Sequence, residues 1–424
     1  MANETNSATK RGAEAETGSS ATFMGWRVIT GLFIVLTVSS GFGFYGQGVY
    51  LRALVDERGW STGLASAATA TFFVVSGVCG YAISGLLIRV DVRKVIVTGL
   101  LVGALGLALL GQAREPWQMF AADAIFGAGF ALSGLVPATT TVARWFIRRR
   151  SVALSIASTG LSMGGIAITP VIAELIARGH LGQVSPWLAV IWVAVGVPVT
   201  LVLVRSSPAG ENQQPDGDPS VAAAVGLIGL SFAQARATRF YRLLTLAYLF
   251  VMLGQVGALS QQVKLVSERA DSLAAASVTI VAASSVIGRL GGGLLVSRVS
   301  PKVFTTVLMA VQGAALVAFA FAETPAALIL SCIVFGLSVG NLLMLQPLML
   351  AETFGVREYS KIYSMSSLIT TLGVGLGPTL LGVLHDAASY QLAFLVAAAS
   401  SGVALVLFIM AGPLQPAVAR GAHA

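Results

Sequence analysis

Charge is what this chain has least of. Asp, Glu, Lys and Arg make up only 10% of its 424 residues, against roughly 25% in an ordinary soluble domain. That shortage rules out dividing the length into soluble domains. Histidine occurs three times, as His180, His385 and His423, in loops or tail and outside any HExxH pattern. No assembled nucleophile–base motif accompanies them, so no catalytic residue, metal ligand or cofactor is expected. The two cysteines, Cys79 and Cys332, lie inside apolar runs without a CxxC. They offer no disulfide framework and read as small buried hydrophobes. Long polar segments are nearly missing too, and the one internal example is Arg205 to Thr238.

What is there is apolar. Hydrophobic residues make up 56% of the chain, and they gather into runs long enough to cross a bilayer as helices. Twelve spans are predicted, at 26–51, 63–88, 94–113, 118–142, 151–178, 186–204, 242–263, 273–296, 302–322, 325–350, 361–384 and 391–412. The expectation is an all-α, multi-pass protein of a cell membrane, the inner membrane if bacterial. Residues 1–24 read as a disordered tail, 25–205 as a first six-helix bundle, 206–238 as a linker, 239–413 as a second bundle and 414–424 as a closing tail. The linker's later part, Val221 to Arg239, mixes Ala, Leu, Phe and Arg. It reads as a connector or as a helix lying on the membrane face.

The net charge of +8 would suggest nucleic acid in a soluble protein. Here the basic residues sit at span ends without aromatic interleaving, so no nucleic-acid partner is expected. Of the 26 Lys and Arg, nineteen fall on the side holding both termini and the linker, six on the other, and Arg289 lies within a span. The positive-inside rule then places both termini in the cytoplasm.

Arg289 is the only charge in the run from Leu273 to Val296, and the next cation along the chain, Arg298, is nine residues away. At ~1.5 Å per residue that is about 13 Å, which sets Arg289 near the middle of a ~30 Å hydrocarbon core. A mid-membrane guanidinium persists where it meets a wet cavity or a partner. The residue four before it is Ser285, not an acid. One account is that the neutralising anion arrives as substrate. The plainer one is pairing with carbonyls or a carboxylate of another helix.

The two halves repeat. Gly85-Leu86-Leu87-Ile88 before Lys94 matches Gly293-Leu294-Leu295-Val296 before Lys302, and Phe126-Gly127 with Pro137 matches Phe335-Gly336 with Pro347. Two such halves imply a pseudo-two-fold axis along the membrane normal and a binding site between them. Gly160, Gly164 and Gly165 in span five, and Gly373, Gly377 and Gly382 in span eleven, suit close helix packing. Pro170 and Pro378 suit bends in those helices.

Twelve spans, the repeat and the central loop resemble the major facilitator superfamily. The segment Gly85-Leu86-Leu87-Ile88-Arg89-Val90-Asp91-Val92-Arg93-Lys94 is similar to its G-x-L-x-D-R-x-G-R-R loop, with Arg89 at the motif's Asp and Asp91 two residues late. Gly25-Trp26, Gly59-Trp60-Ser61 and Arg144-Trp145-Phe146 followed by Arg148-Arg149-Arg150 resemble elements of the monocarboxylate porter and oxalate/formate antiporter branch. So do Ala351-Glu352-Thr353-Phe354-Gly355, Gly377-Pro378 and Asp386. The resemblance implies the major facilitator fold, a monomer in the bilayer and a carboxylate-binding arginine at Arg289. It also implies a gating loop that includes Arg89, Asp91, Arg93, Arg144 and Arg148. Many members carry an Asp four residues before the arginine, where this chain has Ser285, and some carry a lysine in span one, where it has Phe44-Tyr45-Gly46-Gln47. The oxalate carrier's second deep cation in span eleven has no counterpart.

One deep cation suits one carboxylate, held by two parallel N–H···O bonds. The expected substrate site is Arg289, Ser285, Tyr45, Gln47, Asn341, Gln255, Gln262 and Thr370. Gln261, Tyr363, Ser367 and Thr371 stand at similar depth. The expected activity is secondary transport of small organic anions, monocarboxylates first, by alternating access, with proton symport and anion exchange both open. Asp123, Glu352 and the His385–Asp386 pair are the titratable groups left for proton coupling. An exporter of amphipathic drugs on the same fold, with aromatic lining and an embedded acid, is one alternative. A non-transporting organic-acid receptor is another, and it would need a larger soluble domain than the central loop.

Overall fold

The computed structural model describes residues 23–218, 229–296 and 298–413. The expected tails, apart from Phe23 and Met24, lie outside the described residues, as does the 219–228 part of the linker. Twelve helices have the length and apolarity to cross a membrane. They are α1 Gly25–Arg58, α2 Gly63–Arg89, α3 Val92–Gln112, α4 Pro116–Trp145, α5 Arg150–Gly179 and α6 Leu181–Leu203. The second set is α7 Arg239–Leu273, α8 Ala276–Val296, α9 Pro301–Phe321, α10 Pro325–Phe354, α11 Tyr359–Ala387 and α12 Tyr390–Met410. Each coincides with a predicted span. Several outrun the apolar stretch because polar turns continue the helix beyond it, as where Arg52 pairs with Asp56 one turn on in α1.

Local chemistry starts and stops these helices. Ser61 caps α2 by accepting from the Leu64 N–H, Asp91 caps α3 through Arg93, and Thr324 caps α10 through Ala327. A side-chain acceptor satisfies N–H groups that the first turn leaves orphaned. Pro116, Pro301 and Pro325 occupy first-turn positions, where the missing N–H costs nothing. α1 ends at Gly59, whose φ of 69° closes the helix through a bond to the Val55 carbonyl.

The halves repeat one packing scheme. α1 packs on α5 and α6, α3 on α4 and α6, and α2 on α4; correspondingly α7 packs on α11 and α12, α9 on α10 and α12, and α8 on α10. The glycines sit at the closest crossings. A methyl added at Gly160 would collide with the Phe33 carbonyl of α1, and one at Gly373 with the Leu249 carbonyl of α7. Small residues therefore serve the α1–α5 and α7–α11 contacts alike.

α1 and α5 are each interrupted at mid-span by a π-helical turn, Ser40–Tyr45 and Gly164–Ile168. The turns face each other: a methyl on Gly41 would lie 2.6 Å from Ile168. Neither turn was expected from the residues alone. π turns reset the register of a helix, and this one ends at Tyr45.

The halves meet chiefly on the side that bears the linker. The first part of α5, Arg150–Met163, packs on α8 and α10, and α11 packs on α2 and α4. The other end of α5, Thr169–Gly179, packs on α1 and α6. The linker is moored to both halves. Asp216 accepts from the N–H groups of Ile147 at 2.9 Å and Arg148 at 2.7 Å, while Phe232 N–H donates to Glu358 at 2.6 Å. Its described α-helical part is the short Phe232–Ala237.

Arg150, one of the basic residues counted on the linker side, is buried and donates to the carbonyls of Phe146 at 2.9 Å and Ala143 at 3.1 Å. The chain turns back over it between α4 and α5, and those carbonyls replace its water.

Candidate functional site

A cavity of about 210 Å³ lies between the halves, with walls from α1, α2, α4, α5, α7, α8, α10 and α11. Among the described residues lining it, Arg289 is the only charged one. Its guanidinium is buried and donates from Nε to the Gly340 carbonyl of α10 at 2.8 Å. From Nη1 it donates to the Ser158 carbonyl of α5, in the other half. Two of its five N–H donors are thus taken and three remain. Carbonyl pairing, the plainer expectation, is what the structure shows, and Arg289 lines the cavity as well.

α5 brings a polar stripe to this seam. Ser151, Ser155, Ser158 and Ser162 follow at three- and four-residue steps, and so share one helix face. Ser155 Oγ donates to the carbonyl of Arg289 itself, and Ser162 Oγ lies 3.5 Å from Ser285 Oγ. The stripe was visible in the sequence as a periodicity, but nothing there marked it as facing the other half. Towards the linker, Ser360 Oγ donates to the Ser84 carbonyl at 2.8 Å, again between halves.

The predicted site residues divide. Arg289, Tyr45 and Gln255 line the cavity together. Ser285 is buried one contact behind it, against Ser162. Gln47, Gln262, Asn341 and Thr370 are buried but do not line it. Gln47 turns away and donates to Asp123 at 3.2 Å within the first half. Asn341 Nδ2 is held by the carbonyls of Gly288 at 2.8 Å and Leu337 at 2.9 Å, so it ties α10 to α8. Thr370 accepts from Gln346 at 3.0 Å. Gln47, Asn341 and Thr370 thus each find a helix-to-helix partner, the usual fate of buried amides and hydroxyls in spans, whereas Gln262 Oε1 is buried without one. On α11 the cavity takes Ser364, Ser367 and Thr371 instead.

The loop residues expected to gate make their described bonds inside the first half and linker. Asp91 holds Arg93 in an ion pair of 2.7 Å and accepts from Ser206 at 2.7 Å; Arg144 donates to the Leu87 carbonyl at 2.7 Å; Arg148 pairs with Asp218 at 2.9 Å. Arg89 is exposed. Asp91 is moderately buried, which opposes its ionisation, but the bonds from Arg93 and Ser206 outweigh this and hold its pKa at about 2.

Sequence reasoning found Tyr45 but missed the other rings on the aromatic side of the cavity. Phe44, Tyr45, Phe73 and Phe130 line it, and three of the four are phenylalanines in apolar runs, where a ring facing lipid and a ring facing a cavity look alike. The discriminator between anion and drug sites is therefore split, with aromatic lining present and the embedded ionisable group a cation. Of the acids considered for coupling, Asp123 is buried with Gln47. His385 pairs with Asp386 at 3.0 Å and lies 3.6 Å from Glu268 at the far end of α11.

The family profile of the Major Facilitator Superfamily matches residues 33–349 and 314–423. Monocarboxylate transporter 13 of Bos taurus is 28% identical over 341 residues, covering 76% of this chain and 75% of that one. The MFS transporter asaE of Aspergillus flavus is 24% identical over 288 residues, 66% of this chain but only 62% of its own length. Among solved structures, the transporter FucP in its outward conformation superposes with a TM-score of 0.71 at 18% identity, over 93% of this chain and 100% of that one. That likeness shows the fold.

Proposed function

Since the chain belongs to the Major Facilitator Superfamily, and so is a multi-pass membrane transporter, we propose that its cargo is a small organic anion with one carboxylate. The observation that carries this is Arg289, a buried cation with three free N–H donors on the wall of a cavity between two similar halves. A carboxylate there would complete a charge-assisted pair, roughly twice as strong as a neutral hydrogen bond. The likeness to monocarboxylate transporter 13 supports the reading.

The geometry also supplies a link between binding and movement. The bond from Arg289 to the Ser158 carbonyl ties α8 to α5 across the seam. An arriving carboxylate competes for the same guanidinium, loosens that tie and favours rocking of residues 25–205 against 239–413. Among the described residues no carboxylate lines the cavity, which favours exchange of one anion for another over proton symport. The positive-inside bias makes the joined side cytoplasmic. The aromatic wall favours a second reading, export of a larger amphipathic molecule.

The test is counterflow of radiolabelled monocarboxylates into proteoliposomes. Arg289→Ala and Arg289→Lys are each expected to lower the rate more than tenfold at equal protein amount, because lysine keeps the charge and loses the fork. Undiminished rates in both variants would reject Arg289 as the anchor.

A further inference from the structure

The cavity is chemically two-sided. Among the described lining residues its one cation belongs to the second half, while the first half contributes a continuous aromatic wall. Phe44 meets Tyr45 edge-on at 5.1 Å and Phe73 at 5.5 Å. Behind them Phe72, fully buried, meets Phe73 at 5.1 Å and Phe130 at 5.3 Å. The rings are thus braced before any ligand arrives. The backbone also makes way for them: a methyl on Gly43 would come within 2.7 Å of the Phe130 ring, and one on Gly165 within 3.0 Å of Tyr45. A braced wall loses little freedom on binding, so its apolar area counts more fully towards affinity.

Size narrows the ligand. An apolar cavity of about 150 Å³ holds benzene, and a water's share of volume is about 30 Å³. The 210 Å³ here therefore accommodates one aromatic ring and roughly two further water-sized groups, which is the size of a carboxylate. A two- or three-carbon acid held by Arg289 would leave the rings facing water. A dicarboxylate would find no second cation among the described lining residues.

We propose that the site selects monocarboxylates with an aromatic body of about phenylacetate size, the carboxylate on Arg289 and the ring edge-on to Phe73 and Phe130, an arrangement aromatic pairs favour. This rests on the carboxylate reading above and extends it to the other end of the substrate.

Isothermal titration of the full chain in nanodiscs at pH 7.5 tests it, with phenylacetate, acetate, lactate and the uncharged phenylacetamide as probes. Phenylacetate is expected to bind at least tenfold tighter than acetate or lactate, and phenylacetamide at least tenfold weaker than phenylacetate. Phe73→Leu keeps bulk but removes the ring, and is expected to shrink the phenylacetate-to-acetate ratio at least threefold; Phe73→Ala should shrink it further. Where Phe73→Ala fails to fold, Phe73→Leu alone decides. Equal binding of phenylacetate and acetate, or a ratio unmoved in Phe73→Leu, overturns the aromatic preference while leaving the carboxylate anchor intact. Phenylacetamide binding as tightly as phenylacetate overturns the anchor itself.

Discussion

Asp91 and Arg289 show how differently an ionic group behaves at the membrane edge and at its centre. Asp91 caps α3, pairs with Arg93 and accepts from Ser206, and its pKa falls from 3.8 to about 2. A carboxyl whose folded pKa is depressed stabilises the fold above its unfolded pKa and loses that contribution as pH falls through the folded value. The window is therefore pH 4 down to 2. Asn remains a good cap, so Asp91→Asn is expected to cost only about 0.5–1 kcal/mol at pH 7, discounted for its partial exposure. The difference from the unmodified protein should shrink through this window and be largely lost by pH 2. Thermal unfolding in detergent across that range measures it; a gap that persists at pH 2 would show that the ion pair is not its source. Arg289 has no such solvent to fall back on, and its carbonyl partners come from two other helices.

At the scale of elements, glycines in one helix separate packing from propensity. Gly373 of α11 lies against the Leu249 carbonyl of α7, and Gly377 against that of Leu253, whereas a methyl at Gly375 would meet nothing within 4 Å. Gly373→Ala must push α11 away from α7 and is expected to destabilise by about 1–3 kcal/mol, the usual cost of overpacking. Gly375→Ala should be neutral or stabilising by up to about 1 kcal/mol, since glycine is the poorer helix former. Melting temperatures of the two variants, measured side by side, check this; equal loss in both would mean that the contact is not what glycine serves here.

For the whole molecule, the question is which side opens. The described ties between halves include Ser162 with Ser285, Ser155 to Arg289, Arg289 to Ser158 and Ser360 to Ser84, and run from the cavity towards the linker side. Alternating access requires them to break. A double variant, Ser84→Cys with Ser360→Cys, is expected to form a disulfide on oxidation, since the Ser360 side chain reaches the Ser84 main chain at 2.8 Å, and to stop exchange until it is reduced. Exchange that continues at full rate with the disulfide formed, scored by gel shift, would place the moving seam elsewhere.

Twelve spans, their order, the repeat of six and the place of Arg289 inside the eighth span were all legible in the sequence, because each follows from apolar length, spacing or a lone charge. A helix in hydrocarbon satisfies its own backbone, so such spans need no distant partner to be recognised. Which faces meet was not legible. Asn341, Gln47 and Thr370 read as site residues from depth alone, yet each spends its polar group on a neighbouring helix. Phe73 and Phe130 gave no sign of facing a cavity, and Arg150 none of being enclosed. Depth is set along one helix by counting residues, whereas rotation about its axis is decided by the helices packed around it. Here the decisive features were the π turns of α1 and α5 and the glycine crossings inside each half, α5 on α1 and α11 on α7.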